Sequence, residues 1–125
     1  MIQIYFQELN AVIEAARGIA AHELTFDQRA MDAGYVRGDI YFVDGSRLHV
    51  REYVSTEFGV ERLTYVYHYQ RADDTMIFRY DNTAHFPNLE NFPHHKHDAQ
   101  DNVRAANAPI LRDVLQEIET LIVIE

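Results

Sequence analysis

The chain has 125 residues, of which 47% are hydrophobic and 25% charged, values typical of one ordinary globular domain. It contains no cysteine, which excludes a disulfide framework, a thiolate nucleophile and a cysteine-based zinc site. Its formal net charge of −9 disfavours non-specific nucleic-acid binding, although it permits a local basic site and suits a basic partner protein.

Hydropathy along the chain argues against membrane insertion. No apolar run approaches the roughly eighteen residues that a membrane-spanning helix needs. The start of the chain lacks the positively charged region that opens a signal peptide. We therefore expect a cytoplasmic protein that does not bind membranes.

The first predicted element is a helix over residues 3–23. Apolar side chains recur at i, i+3 and i+4 spacing between Leu9 and Ala20. Gly18 weakens this prediction, because glycine disfavours the interior of a helix. Residues 24–37 are mixed in character, with a short strand or turn at their start and a connection at their end.

Four segments with strand patterns follow. They alternate apolar and polar residues or are rich in β-branched and aromatic residues, and they span residues 38–43, 47–55, 61–70 and 75–82. The Asp-Gly pair between the first two is a typical hairpin signal. Strands this close together, joined by short turns, predict an antiparallel meander.

The last part of the chain is predicted to be a loop and then a helix. Residues 83–108 have no clear periodicity and contain two prolines, which favours a surface loop. Residues 110–125 have an apolar stripe at helical spacing, with Asn107 as cap and Pro109 in the first turn. The prediction is a single α+β domain over residues 1–125: a four-stranded antiparallel meander with an N-terminal and a C-terminal helix packed on one face.

Glu52 lies on an otherwise apolar strand face. Alternation places it with Leu48, Val50 and Val54, where a carboxylate needs a partner or loses its charge. A strand end near solvent or a structural ion pair explains it somewhat better than a catalytic role does. Both interpretations stay open.

The residues Arg79 and Asp81 share one face at the end of the fourth predicted strand. Strand ends and the loops after them are where rigid scaffolds present reactive groups. Arg79 could hold a phosphate through its planar fork, and Asp81 could orient a histidine. Turn capping by Asp81 and Asn82 is the structural alternative.

Four of the seven histidines cluster in one short segment: His85, His94, His95 and His97. In an extended segment His95 and His97 point the same way, whereas in a helix His94 and His97 are neighbours. Either spacing fits acid–base chemistry near neutral pH or, with His85 as a third ligand, a metal. A polar surface loop is the alternative without function. The other histidines are isolated and predicted to be surface or half-buried: His22, His49 and His68.

We expect residues 85–97 to form an ordered loop over the end of the fourth strand. A freely solvated loop has little use for Phe86, Leu89 and Phe92, each worth about 1.5–3 kcal/mol when buried. Anchored in this way, the segment would bring at least one histidine within reach of Arg79, Asp81 or Glu52. If the segment were disordered, its histidines would not form a site.

These motifs together resemble the TumE family, the toxin components of a class of prokaryotic toxin–antitoxin systems. The similarity covers residues 34–97 closely and lies in F-x-D-G-S-x-L (42–48), Glu52, RYDN (79–82) and FPHHKH (92–97). The resemblance implies growth inhibition by the free toxin. It also implies a partner antitoxin, typically a small helix-turn-helix DNA-binding protein, and it fixes no reaction.

The sequence departs from the family pattern at one point. The pattern often has two histidines near position 85, whereas here His85 is followed by Phe86. If the second histidine has a role in the family, that role is missing or moved in this chain.

Three functions remain open for the histidine-rich segment. The first is metal-independent RNA cleavage, in which side chains supply acid, base and a cation for the phosphate. Its candidate catalytic residues are Glu52, Arg79, Asp81, His85, His94, His95 and His97, and its candidate phosphate-binding residues are Arg79 and Lys96.

The second function is a binding module without catalysis, in which the segment is part of the antitoxin interface. The third is a zinc or nickel site that also uses Asp98. We assign no metal and no cofactor. The free edges of a four-stranded sheet would also permit a homodimer.

Overall fold

The computed structural model describes residues 1–122 of the chain. In chain order the elements are α1 (Ile2–Ala15), β1 (Ile19–Ala30), β2 (Ala33–Phe42), β3 (Arg47–Ser55), β4 (Glu61–Gln70), β5 (Met76–Asp81), β6 (His95–Asp98), β7 (Val103–Ala105) and α2 (Leu111–Leu121). The predicted α+β class is confirmed.

The strands form one antiparallel sheet of seven strands in the order β1-β2-β3-β4-β5-β6-β7. Every strand therefore pairs with its neighbours along the chain, as in a meander. The predicted number of four strands is wrong, because one strand precedes the predicted set and two short strands follow it. The four predicted strands correspond to β2, β3, β4 and β5.

The strand that precedes the set replaces the second half of the predicted first helix. That helix ends at Ala15, and Gly18 then adopts a φ of 85°, a left-handed conformation that favours glycine. The following residues pair with β2 from Ile19 to Ala30. Sequence periodicity missed β1 because it is an edge strand whose residues are largely exposed and show no clear alternation.

The two strands that follow the set are short and polar. β6 consists of His95, Lys96, His97 and Asp98, and β7 of three residues. Neither has an apolar alternation, so neither is visible in the sequence. They are strands because the edge of β5 offers β6 unpaired backbone groups, and β6 does the same for β7.

The two helices cover the same face of the sheet. Tyr5 of α1 donates a hydrogen bond to Glu52 of β3, and Tyr80 of β5 donates one to Glu117 of α2. The core between helices and sheet includes Leu9, Ile13, Val36, Ile40, Leu48, Val50, Tyr67, Tyr69, Phe78, Val114 and Ile118. The opposite face has no helix over it among residues 1–122, and we call it the open face.

The second helix starts close to its predicted position. Ile110 occupies the N-cap position, and its backbone N–H donates to the side chain of Asp113. Asn107 is therefore not the cap. The predicted end of this helix, residues 123–125, lies outside the described residues. No helix in the described part of the chain has the length and apolarity needed to cross a membrane.

Candidate functional site

The candidate site lies on the open face at the β5–β6 edge. The register places Arg79 opposite His97 and Asp81 opposite His95. Side chains opposite each other in antiparallel strands point to the same face. The extended alternative for the histidine block is therefore the one that the structure adopts, and it brings these four side chains together.

Asp81 is the centre of this group. Its buried carboxylate accepts hydrogen bonds from the Thr83 backbone N–H at 3.0 Å and from Arg79 Nε at 2.9 Å, and it lies 2.9 Å from His95 Nε2. Burial raises the pKa of Asp81. The hydrogen bonds from Thr83 and Arg79 and the charge of His95 lower it by more than burial raises it, so the pKa lies below its usual value. Asp81 is therefore ionised at neutral pH.

His95 is buried and contacts acceptors through both ring nitrogens. Its Nδ1 lies 2.9 Å from the Pro93 carbonyl oxygen, and its Nε2 lies 2.9 Å from the ionised Asp81. A carbonyl and an ionised carboxylate can only accept, so both acceptors hold the ring in a fixed orientation. His95 thus contacts Asp81 from the buried side and is not accessible to a substrate.

His97 is the more accessible member of the pair, with 18% of its side chain exposed. Its Nε2 lies 3.9 Å from Asp81 Oδ2, and its Nδ1 lies 3.2 Å from Asp101 Oδ1. Two carboxylates therefore flank this imidazole. They hold the ring in its orientation toward the cavity.

A shallow cavity of about 360 Å³ opens in front of these side chains. Its lining residues are His68, Met76, Arg79, Asp81, Thr83, His85, Phe86, His97 and Asp101. It therefore combines three imidazoles, one guanidinium and two carboxylates. We call it the His97 pocket.

The loop that precedes β6 folds back as expected and forms one wall of this pocket. The Phe86 ring centroid lies 5.0 Å from that of His95 and 6.0 Å from that of His97, in edge-to-face arrangements. Phe86 and Leu89 are half-buried, whereas Phe92 is 45% exposed, so its predicted burial is wrong. Phe86 anchors the loop against the two histidines.

Glu52 does not belong to the pocket, because it lies on the helix-covered face. It is 2% exposed and accepts hydrogen bonds from the hydroxyls of Tyr5 and Tyr67, the latter at 2.5 Å. Arg62 Nη1 donates to the Tyr67 hydroxyl at 2.9 Å, which extends the network. Burial and the Glu52 charge raise the pKa of Tyr67 well above its usual value, so Tyr67 remains a donor. The structural interpretation of Glu52 fits this arrangement, with tyrosine hydroxyls in place of the expected ion pair.

Lys96 and His94 also lie away from the pocket. Lys96 alternates to the helix-covered face, where its Nζ contacts Glu117 at 2.9 Å and lies 4.9 Å from the Tyr80 ring centroid. His94 stacks on Tyr65, with its Nδ1 2.8 Å from the tyrosine hydroxyl. Of the predicted site residues, the structure therefore brings together Arg79, Asp81, His85, His95 and His97.

Sequence reasoning missed three lining residues, His68, Thr83 and Asp101. His68 pairs directly with Arg79 across β4 and β5. Burial and the positive charge of Arg79 lower its pKa below the usual value. A register worked out from the short β4–β5 turn could have placed His68 beside Arg79. Asp101 follows β6 in a tight turn, and nothing in the sequence indicated its approach to His97.

Asp81, His95 and His97 could also hold a metal ion. One ligand atom from each lies within 4.8 Å of the others. Both histidines direct Nε2 toward Asp81 while Nδ1 contacts an oxygen, which is the usual arrangement of metal-bound imidazoles. The Arg79 bond to Asp81 argues against this use, because a guanidinium beside the ligands repels a cation.

Comparison with known proteins gives one match. The profile of a protein family described as Toxin TumE matches residues 9–122, most of the chain. No curated protein and no solved structure matches the chain significantly.

Proposed function

Because the chain belongs to the Toxin TumE family, we propose that it is a toxin that acts by cleaving RNA in the His97 pocket. The observation that supports this proposal is the arrangement of two accessible imidazoles and a guanidinium around a buried, ionised Asp81. These are the groups that metal-independent phosphoryl transfer requires.

The proposed reaction is attack of a ribose 2′-hydroxyl on the adjacent phosphorus. A base removes the 2′-hydroxyl proton, the O2′–P bond forms, and the P–O5′ bond breaks as an acid protonates the departing oxygen. His97 and His85 line the same pocket and fill these two roles. The products are a 2′,3′-cyclic phosphate and a 5′-hydroxyl, so no water or cofactor is consumed.

Arg79 supplies the positive charge for the phosphate. Its side chain is 38% exposed and its Nε is bonded to Asp81, which leaves the terminal nitrogens free to point into the pocket. Negative charge builds up on the phosphate oxygens during the attack, and a guanidinium held in place stabilises it. Asp81 and His95 are positioning residues, because Asp81 holds Arg79 and flanks His97, and the buried His95 holds Asp81.

The test is cleavage of labelled RNA by the purified protein and by His97→Ala, with and without EDTA. General acid–base catalysis is worth about 100- to 10,000-fold, so His97→Ala is expected to lose at least about 100-fold in rate. The matched control is His22→Ala, because His22 is exposed on β1 outside the pocket. Equal cleavage by wild type and His97→Ala would overturn the proposal, and so would intact RNA at high protein concentration.

Membership in a toxin family implies an antitoxin partner. We further propose that this partner is a helix-turn-helix DNA-binding protein, since the formal charge of −9 suits a basic surface. Co-purification with the product of the neighbouring gene tests this directly. A tagged toxin that retains no such protein, even in low salt, would contradict it.

A metal site is the second candidate for the same side chains. The Nδ1 contacts of His95 and His97 favour it, as described above. Such a site would supply a Lewis acid and a metal-bound water. EDTA sensitivity together with stoichiometric zinc or nickel in protein purified without a metal column would favour this candidate over the metal-independent one.

A further inference from the structure

We infer that the open face of β2 and β3 binds single-stranded RNA and leads it into the His97 pocket. Tyr35 and Tyr53 stack bases, and Arg37 and Arg51 hold phosphates. The inference rests on the proposed function and adds the substrate class, because a stacking surface favours unpaired bases over a duplex.

Tyr35 and Tyr53 differ from the three tyrosines of β4. Tyr65, Tyr67 and Tyr69 are buried under the helices, whereas Tyr35 lies on the open face and is 40% exposed. The Tyr35 and Tyr53 rings stack at 4.5 Å between centroids with a 19° angle between planes. The two rings cover one face of each other and the exposed Arg29 lies over Tyr35, so a base that stacks on Tyr35 takes the place of Arg29.

Arg37 and Arg51 form the second part of this surface. They are directly opposite each other in the β2–β3 register, and both are exposed. Like charges in this position destabilise a sheet. Neither guanidinium lies within 4.0 Å of a carboxylate among residues 1–122. A bound anionic ligand between the two guanidinium groups would offset their repulsion.

Two neighbouring acidic residues on this face are already engaged, whereas Glu23 lines the same shallow cavity as Arg37 and Arg51. Asp27 pairs with Arg29 at 3.0 Å, and Asp39 contacts His49 at 3.1 Å and Arg47 at 3.9 Å. Arg29 also lies over the Tyr35 ring, 5.1 Å from its centroid. The cavity that Arg37 and Arg51 line together with Glu23 therefore keeps one net positive charge, even though the whole chain has a net charge of −9.

The surface is continuous with the His97 pocket. The register aligns Arg51 with Val66 on β4 and Val66 with Asp81 on β5. Two strand spacings separate Arg51 from Asp81, or about 10 Å. Polar side chains line the adjacent row from His49 through His68 to Arg79. A single strand can therefore cross from the tyrosines to the pocket without leaving the open face.

The test measures binding of fluorescent single-stranded RNA by anisotropy, in a His97→Ala background so that cleavage does not interfere. The double variant Arg37→Gln/Arg51→Gln is expected to bind at least about 10-fold more weakly. Two lost phosphate contacts reduce the slope of log Kd against log salt by about 1.4. Tyr35→Leu is expected to lose about 5-fold or more at unchanged slope.

The matched control is Arg17→Gln/Arg112→Gln, which removes the same charge from the helix side of the molecule. It is expected to bind RNA as the His97→Ala parent does. Equal weakening in both double variants would indicate a general charge effect and overturn the inference. Circular dichroism of each variant establishes that the fold is retained.

The remaining outcomes separate this inference from the proposed function. If the protein binds RNA through these residues but cleaves none, the inference stands and the proposed reaction fails. If it cleaves RNA and the open-face variants bind normally, the inference fails alone. Loss of antitoxin binding with RNA binding intact would assign the face to a protein partner, and no RNA binding at all would overturn both.

Discussion

Replacing Asp81 with asparagine tests the charge network behind the pocket. The variant keeps the size of the side chain but removes its negative charge. Three donors then lose an ionised acceptor: the Thr83 N–H, Arg79 Nε and His95 Nε2. One of them also faces the new amide NH₂, which cannot accept.

The magnitude follows from these contacts. A hydrogen bond to a charged group is worth about 1.5–3 kcal/mol and a neutral one about 0.5–1.5 kcal/mol, so each bond loses about 1 kcal/mol. The contribution of Arg79 is smaller, because its side chain is 38% exposed and solvent screens the pair. We expect Asp81→Asn to lower the free energy of unfolding by about 2–3 kcal/mol at neutral pH.

The stability loss of Asp81→Asn should depend on pH in a characteristic way. The pKa of Asp81 in the folded chain lies below its usual value of 3.8. The stability that this group contributes is therefore fully present above the usual value. It is lost as the pH falls through the lower pKa of the folded chain. The difference between wild type and Asp81→Asn should be constant near neutral pH and shrink in acid.

Urea unfolding followed by circular dichroism measures the effect. Asp27→Asn is the control, since Asp27 pairs with Arg29 at the surface, and it should cost less than about 1 kcal/mol. An Asp81→Asn cost as small as that of the control would refute the charge network. A difference that grows in acid would do so as well.

Three further predictions concern residues around and outside the pocket. Glu52→Gln should leave the RNA cleavage rate unchanged, because Glu52 contacts Tyr5 and Tyr67 beneath the helices; a large rate loss in a folded variant would return it to the site. Burial and Arg79 lower the pKa of His68, so the stability it contributes is lost as the pH falls below about 6.5. His68→Asn should therefore lose less stability than wild type between neutral pH and about pH 5 in denaturant titrations, and an equal loss would argue against it. Metal analysis of untagged protein should give a metal-to-protein ratio near zero, whereas a ratio near one would favour the metal site.

The fold shows which signals the sequence contained. Alternation or β-rich composition predicted the four strands β2 to β5, and alternation correctly placed Arg79 and Asp81 on one face. β1 was missed because helical spacing of apolar residues continues past Gly18, where the backbone turns.

The site was partly visible for a related reason. The histidines drew attention to residues 85–97, and the extended alternative placed His95 and His97 together. Local sequence could not decide that alternative, since β6 exists only through its pairing with β5. Glu52 and Lys96 could not be separated from the site without knowing that their strands present them to the helices.

The chemistry of the RNA ends tests the central claim most directly. Mass spectrometry of the products that the purified toxin makes from a defined single-stranded ribo-oligonucleotide identifies these ends. Attack by the 2′-hydroxyl in the His97 pocket predicts 2′,3′-cyclic phosphate and 5′-hydroxyl ends that persist in EDTA and disappear in His97→Ala. Products with 3′-hydroxyl and 5′-phosphate ends, or an oligonucleotide left intact by a toxin that still arrests growth, would contradict the account.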